Sequence, residues 1–121
     1  MKISFGKPLI NSKERSLIKK VLSGTQLVHG PFAEKFEKLF SEFLNVKYAT
    51  TVSSCTAGMH LTLLANNIGT GDEVLLPALS HTATAHVVEY TGAKPVFVDV
   101  DQKTGNIDTT KIESKFTDRT K

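Results

Sequence analysis

The sequence of 121 residues has no tryptophan, a single cysteine and no apolar run long enough to cross a membrane. One cysteine excludes an internal disulfide framework and is typical of proteins from a reducing compartment. The first five residues also lack the apolar centre of a secretory signal peptide. We therefore expect a cytoplasmic protein that does not bind membranes.

An excess of one charge is also missing, because 15 basic and 12 acidic residues leave a net charge of only +3. The basic residues are scattered and no basic stripe with interleaved aromatic residues is present, which argues against a nucleic-acid partner. The four histidines show no spacing typical of metal ligands, so no metal site is predicted. A hydrophobic content of 40% with 22% charged residues indicates one globular domain, or part of one.

What is present is an alternation of strand-like and helix-like segments after residue 47. This alternation predicts an α/β fold with a mostly parallel sheet. The predicted strands cover residues 48–52, 73–76 and 95–100, and the predicted helices cover residues 59–66, 82–90 and 109–115. Three strands leave two open sheet edges, so we expect the sequence to be the N-terminal piece of a larger fold.

Two further helices are predicted before the first strand. Asn11 and Glu14 form a capping box that begins the first helix, and Gly24 ends it. Pro31 suits the first position of the second helix. That second helix carries an apolar stripe, which we interpret as core packing or a subunit contact: Phe32, Phe36, Leu39, Phe40, Phe43 and Leu44.

Small hydroxylated residues stand where the first predicted strand leads into a helix, in the segment Ser53 to Met59. The first turn of a helix leaves backbone N–H groups without partners and carries partial positive charge. Either Ser54 or Thr56 caps these groups, or a ligand phosphate binds them. Cys55 is predicted to be a small buried residue of this turn.

Two other predicted strand ends carry polar side chains at the edge where open parallel sheets bind ligands. His81 follows the second strand, and it either stacks on a flat ligand or bonds to the backbone of its own loop. Asp99 and Asp101 follow the third strand, and we interpret them as strand-end and turn residues. A thiol hydrolase that uses Cys55 is a further alternative, but no residue that would orient its base is evident.

Several segments match one known family. Gly69 to Pro77 reads GTGDEVLLP, Thr91 to Asp101 reads TGAKPVFVDVD, and Ser54 to Ala57 reads SCTA. With Asn106-Ile107-Asp108, these motifs make the chain from Phe5 to Lys121 resemble the DegT/DnrJ-type nucleotide-sugar aminotransferases. Members of that family use pyridoxal 5'-phosphate (PLP) on the aspartate-aminotransferase fold.

The resemblance implies a fold and a division into domains. The fold would be the N-terminal part of the large, mostly parallel-sheet domain of a fold-type-I PLP-dependent transferase. Residues 1–29 would form an N-terminal helix and connector. Residues 30–121 would form the first part of the PLP-binding large domain, and this part would stop before the catalytic lysine.

The resemblance also implies site residues. Thr56 and Ala57 match the pair that holds the cofactor phosphate. His81 matches the ring that stacks on the pyridine, where the family usually has Phe, Tyr or Trp. The segments that border the nucleotide-sugar pocket in some relatives match five residues: Phe5, Thr25, Gln26, Leu27 and Val28.

Two catalytic groups of the family have no counterpart in this chain: the Asp that pairs with the pyridine nitrogen and the Lys that forms the Schiff base. The resemblance implies that the longer protein to which this chain would belong, here called the parent protein, is a homodimer. It would transfer an amino group from an amino acid, expected to be glutamate, to a keto-sugar nucleotide. The 121-residue chain alone would be inactive. Alternatives are a PLP-dependent sugar dehydratase of the same family, with His in place of that Lys, and a non-catalytic fragment of the fold.

Overall fold

A computed structural model describes residues 5–121 of the chain. Its first helix, α1 (Ser12–Leu22), begins at the capping box predicted at Asn11. Asn11 Oδ1 accepts a hydrogen bond of 2.8 Å from the Lys13 N–H, and Glu14 Oε2 accepts one of 2.8 Å from the Asn11 N–H. Two N–H groups that the helix leaves free are thereby satisfied. The helix ends at Leu22, two residues before the predicted stop at Gly24.

The second helix, α2 (Pro31–Leu44), has proline at its first position, as predicted. It ends at Leu44, and the cap residue Asn45 has a left-handed backbone (φ 53°), which directs the following Val46 N–H to the Ser41 carbonyl at 3.0 Å. Neither α1 nor α2 contains a buried residue. Together with their connectors up to Thr51, these helices form the first of two units into which the chain divides.

The strand predicted over residues 48–52 is wrong, because these residues are irregular. A strand exists only when a neighbour pairs with its backbone. Within residues 5–121 no strand lies beside this segment. The Thr51 N–H and hydroxyl instead both donate to Glu37 Oε1 of α2, at 2.7 Å each.

The second unit begins at Val52 and contains the α/β alternation. Its elements, in order, are α3 (Cys55–Ala65), β1 (Glu73–Pro77), α4 (Ala83–Tyr90), β2 (Lys94–Val98) and α5 (Thr109–Ile112), which continues as a 3₁₀ turn (Glu113–Lys115). The two strands are parallel, with Glu73 opposite Lys94 and Pro77 opposite Val98. This β1–α4–β2 crossover confirms the predicted α/β fold with a parallel sheet.

Two predicted boundaries in this unit are wrong by a few residues. α3 begins at Cys55, four residues earlier than predicted, because Ser54 caps it. β2 ends at Val98 and not at Val100, which instead forms an isolated antiparallel bridge with Ile107. Asp108 caps α5, since its side chain accepts a hydrogen bond of 3.0 Å from the Thr110 N–H.

The core of this unit lies between the two strands and the helices α3 and α4. Its buried members are Leu76, Val88 and Ala93, against which partly buried Leu63, Ile68, Val74 and Ala85 pack. Gly92 closes α4 with φ +83°, and a Cβ at this position would lie 2.6 Å from Thr70 Oγ1. Only glycine allows this tight return from α4 into β2. None of the described helices is both long enough and apolar enough to cross a membrane.

Candidate functional site

The N-terminus of α3 is built as a capped helix start. Ser54 has an extended backbone, and its Oγ accepts a hydrogen bond of 3.0 Å from the Ala57 N–H. The Ser54 carbonyl accepts from the Gly58 N–H, also at 3.0 Å. Of the two possibilities that the sequence left open for this turn, the structure therefore shows self-capping at Ala57.

Two first-turn amides remain available next to this cap. The N–H groups of Cys55 and Thr56 have no acceptor among residues 5–121, and the Thr56 hydroxyl has no partner there either. These donors lie at the positive end of the helix dipole. The turn can therefore bind an anion of the size of a phosphate through two amides and one hydroxyl, without breaking an existing hydrogen bond.

The prediction that Cys55 is buried is wrong. Cys55 is the first residue of α3, and its side chain is exposed, whereas Thr56 and Ala57 are partly buried. A single turn of helix presents successive side chains in different directions, so a small residue in this motif need not be the one that faces the protein.

His81 bonds to the backbone of its own loop. Its Nδ1 accepts a hydrogen bond of 3.1 Å from the Ala83 N–H, at the start of α4. Ser80 Oγ shares a hydrogen bond of 2.8 Å with the Thr84 hydroxyl. The bond to Ala83 fixes the plane of the His81 ring, and the side chain stays exposed.

A hollow of about 320 Å³ lies beside His81. Leu76 and Phe97 supply apolar walls from the two strands, while His81, His86 and Glu89 supply polar groups. Part of its lining, from Pro77 to His81, lies at the carboxyl end of β1, and parallel sheets bind ligands at such ends. A planar ligand ring bound here could contact both the apolar wall and the imidazole of His81.

The helices α3 and α4 pack side by side. The His60 ring of α3 lies 5.7 Å from the Tyr90 ring of α4, edge to face, and the His86 ring stacks 6.2 Å from the same tyrosine. His60 and His86 thus both pack against Tyr90. The two candidate cofactor elements, the Thr56 turn and His81, accordingly lie at the beginnings of two adjacent helices.

The acidic residues after β2 hold the local chain in place. Asp99 Oδ2 accepts a hydrogen bond of 2.8 Å from Lys111 Nζ, and this bond holds the pKa of Asp99 below its ordinary value. Asp101 Oδ1 accepts from the N–H of Thr104 at 2.8 Å and also from its hydroxyl; the backbone bond is the main cause of a lowered pKa of Asp101. These contacts confirm their interpretation as strand-end and turn residues.

The residues predicted to border the substrate are exposed and belong to the first unit. Thr25 and Gln26 line a hollow of about 250 Å³ between α1 and α2. Gln26 Nε2 also donates to the His29 carbonyl at 3.0 Å, which folds the connector back on itself. Three of the predicted residues do not line this hollow: Phe5, Leu27 and Val28.

One contact of the first unit could not be predicted from the sequence. Glu37 accepts the two hydrogen bonds from Thr51, and the backbone bond is the main cause of a lowered pKa of Glu37. Fourteen positions separate the two residues, so no local pattern indicates the pair. Across residues 5–121 no three histidine, cysteine or carboxylate side chains are arranged to hold a metal ion.

Comparisons with known proteins agree on one family. Residues 8–121 match the profile of the DegT/DnrJ/EryC1/StrS aminotransferase family. The chain is 42% identical over 119 residues to the spore coat polysaccharide biosynthesis protein SpsC of Bacillus subtilis, and 42% identical over 115 residues to a GDP-perosamine synthase of Escherichia coli O157:H7. These matches cover 98% and 94% of this chain but only 31% and 32% of the two relatives.

Solved structures show the same similarity. The PMP form of the putative sugar aminotransferase Spr1654 from Streptococcus pneumoniae superposes with a TM-score of 0.95 at 30% identity. The superposition covers 100% of this chain and 31% of that protein. Its PLP form superposes equally well, also with a TM-score of 0.95. The chain therefore spans about a third of the length of the proteins it matches.

Proposed function

The chain belongs to the DegT/DnrJ/EryC1/StrS aminotransferase family, and from this membership we propose that its parent protein transfers an amino group to a keto-sugar nucleotide. The amino donor is an amino acid, with glutamate as the first candidate. The names of the relatives, which include a GDP-perosamine synthase and a polysaccharide biosynthesis protein, support a sugar substrate. The product would be an amino sugar for a polysaccharide.

The observation that carries this proposal is the N-terminus of α3. Two amides without acceptors and the Thr56 hydroxyl form a phosphate site. We assign this site to the phosphate of PLP. The Ala57 amide, predicted to join them, is bonded to Ser54 Oγ in this structure. Ala57 would bind phosphate only if the Ser54 hydroxyl turned away or shared the same N–H.

His81 and the hollow beside it would hold the cofactor ring. The hydrogen bond from the Ala83 N–H keeps the imidazole plane fixed, so that the ring presents a constant face to a flat ligand. Leu76 and Phe97 would supply an apolar wall for the ring. PLP, when bound, supplies an electron sink that stabilises negative charge at the donor carbon during amino transfer. The lysine and aspartate that complete such a site would come from residues outside this chain.

The substrate and partner assignments are part of the same proposal. Thr25 and Gln26 line a hollow that would accept part of the sugar nucleotide. Phe5, Leu27 and Val28 do not line that hollow, and their contact with the substrate stays a prediction. The division at residue 30 into a connector and the start of the large domain stays a prediction, as does the cytoplasmic location.

We also propose that the parent is a homodimer and that α2 contributes to the contact. Several aromatic side chains of α2 are exposed, including Phe43 at 84% and Phe36 at 56%. Exposed apolar area of this kind favours a subunit interface. Sedimentation of the full-length protein at micromolar concentration tests this assignment, and a monomer alone would contradict it.

The reaction is tested with the full-length protein, PLP, a keto-sugar nucleotide and ¹⁵N-glutamate. We expect ¹⁵N in the sugar product and 2-oxoglutarate in equal amount. Substrate consumption without ¹⁵N incorporation would support the dehydratase instead. No consumption of any tested keto-sugar nucleotide would favour the non-catalytic alternative.

The phosphate site is tested by Thr56→Ala. Loss of one hydrogen bond to a charged group is expected to raise the Kd for PLP about 10- to 100-fold. The matched control is Thr62→Ala on the same helix, because the exposed Thr62 hydroxyl bonds only to the Gly58 carbonyl. Equal PLP affinities for both variants would contradict the assignment of the phosphate to this turn.

A further inference from the structure

The irregular segment of residues 47–53 connects α2 to the N-terminus of α3, and it has very few hydrogen bonds. Among residues 5–121, the only hydrogen bonds of this segment run from Thr51 to the Glu37 carboxylate. A segment without regular structure keeps one conformation only where such contacts hold it. Within the described residues, Glu37 is therefore the hydrogen-bonded anchor of the whole segment.

The anchor belongs to a regular helix. Glu37 lies in the middle of α2, and its side chain is only partly exposed. A single oxygen, Oε1, accepts from both the N–H and the hydroxyl of Thr51, at 2.7 Å each. Hydrogen bonds to an ionised carboxylate are stronger than those between neutral groups. Glu37 thus fixes the backbone and the side chain of the same residue.

Thr51 stands shortly before the turn assigned above to the cofactor phosphate. Only Val52 and Ser53 separate it from Ser54, the cap of α3. Val52 also lies against this helix, because a Cβ at Gly58 would be 3.4 Å from Val52 Cγ2. The Gly58 N–H in turn bonds to the Ser54 carbonyl. The short connection into the turn is therefore held at Thr51 and again at Val52.

We infer that Glu37 is a positioning residue for the cofactor phosphate. It does not touch the ligand, but it fixes Thr51 and thereby the chain that leads to the Cys55 and Thr56 amides. Donors that are already oriented lose less conformational freedom when the ligand binds, so the ligand binds more tightly. This role rests on the assignment of the PLP phosphate to the Thr56 turn, which is part of the proposed function.

The test compares two ligands that differ only in the phosphate, PLP and pyridoxal, on the apo form of the full-length protein. We expect Glu37→Ala to raise the Kd for PLP about 3- to 10-fold and to leave the Kd for pyridoxal unchanged. Glu37→Gln should recover most of the PLP affinity, because it keeps an oxygen that accepts from Thr51. A purely structural role of Glu37 would weaken both ligands alike.

Glu34→Ala is the matched control on the same helix. The Glu34 side chain is exposed, and within residues 5–121 it has neither a hydrogen bond nor an ion pair. Its variant should bind both ligands as the wild type does. Equal losses of PLP and pyridoxal affinity in Glu37→Ala, or a Kd for PLP equal to that of Glu34→Ala, would overturn the positioning role.

Thr56→Ala, measured with the same two ligands, separates this role from the proposed function. If Thr56→Ala weakens PLP binding and Glu37→Ala does not, the phosphate site stands and only the positioning role is wrong. If Thr56→Ala leaves PLP binding unchanged, the phosphate site itself is wrong, and the role of Glu37 falls with it.

A milder pair of variants is available if Glu37→Ala prevents folding. Thr51→Val removes the hydroxyl bond to Glu37 and keeps the backbone bond. Thr50→Val is its control, because the exposed Thr50 hydroxyl has no hydrogen-bond partner within the described residues. We expect Thr51→Val to raise the Kd for PLP about 2- to 5-fold relative to Thr50→Val, with pyridoxal unaffected. The same Kd for PLP in both variants would overturn the inference.

Discussion

The two units of the chain differ in how far they bury their own apolar residues. All six buried residues of the described chain lie after Thr51: Glu73, Leu76, Val87, Val88, Ala93 and Val98. The first unit has two helices, and α1 begins with a capping box, yet their apolar side chains stay exposed, as Leu39 shows at 53%. A β–α–β crossover buries a core with residues close in sequence, whereas a pair of amphipathic helices obtains most of its stability from packing onto another surface.

The largest expected effect comes from deleting core volume in the second unit. Leu76→Ala should lower the free energy of unfolding by about 2–5 kcal/mol, because Leu76 is only 4% exposed and lies in the core cluster. Leu39→Ala in α2 should change it by less than about 1 kcal/mol in the same chain. Urea titrations of the 121-residue chain, followed by circular dichroism, measure both. Equal losses would show that the first unit has a core of its own.

A second, smaller effect should separate two glutamates, one in each unit. Hydrogen bonds lower the pKa of Glu73, with the Thr117 hydroxyl as the main cause, and lower the pKa of Glu37, with the Thr51 backbone as the main cause. A lowered pKa in the folded state stabilises the fold above the ordinary glutamate pKa of about 4.3. That stabilisation is lost as the pH falls through the lowered pKa.

Glu73→Gln and Glu37→Gln should therefore both flatten the acid side of the stability profile. We expect the larger change for Glu73→Gln, because its side chain is buried and has three side-chain donors, whereas Glu37 is only partly buried. Thermal melts of the full-length protein between pH 6 and pH 3 give the comparison. A larger change in acid stability for Glu37→Gln than for Glu73→Gln would contradict this expectation.

The smallest expected effects concern helix caps. Asn11→Ala and Ser54→Ala each remove one capping hydrogen bond and should cost about 1 kcal/mol. Asn11→Ala should unwind only the first turn of α1, whereas Ser54→Ala should also loosen α3, whose Leu63 packs on the core. Carbon chemical shifts along both helices report the difference. Loss of order in α3 on Asn11→Ala would contradict the independence of the two caps.

Much of this architecture could be predicted because its signals are local. The capping box at Asn11, the proline that begins α2 and the cap at Asp108 all depend on residues within one turn of helix. The strands around Leu76 and Val98 were predicted from short apolar runs, and their ends were less certain because pairing decides where a strand stops. Of the candidate site, the capped turn at Ser54 and the loop bond of His81 both follow from local residue chemistry.

The sequence by itself determined the order of helices and strands, the caps and the family, because these depend on spacing and on short motifs. Only the tertiary structure decided that residues 48–52 are not a strand, that Cys55 is exposed and that Glu73 is buried beside residues 117–121. Each of these outcomes depends on which distant backbone or side chain supplies a partner. Thr117 and Arg119 lie more than 40 positions from Glu73, and no local pattern encodes that pairing.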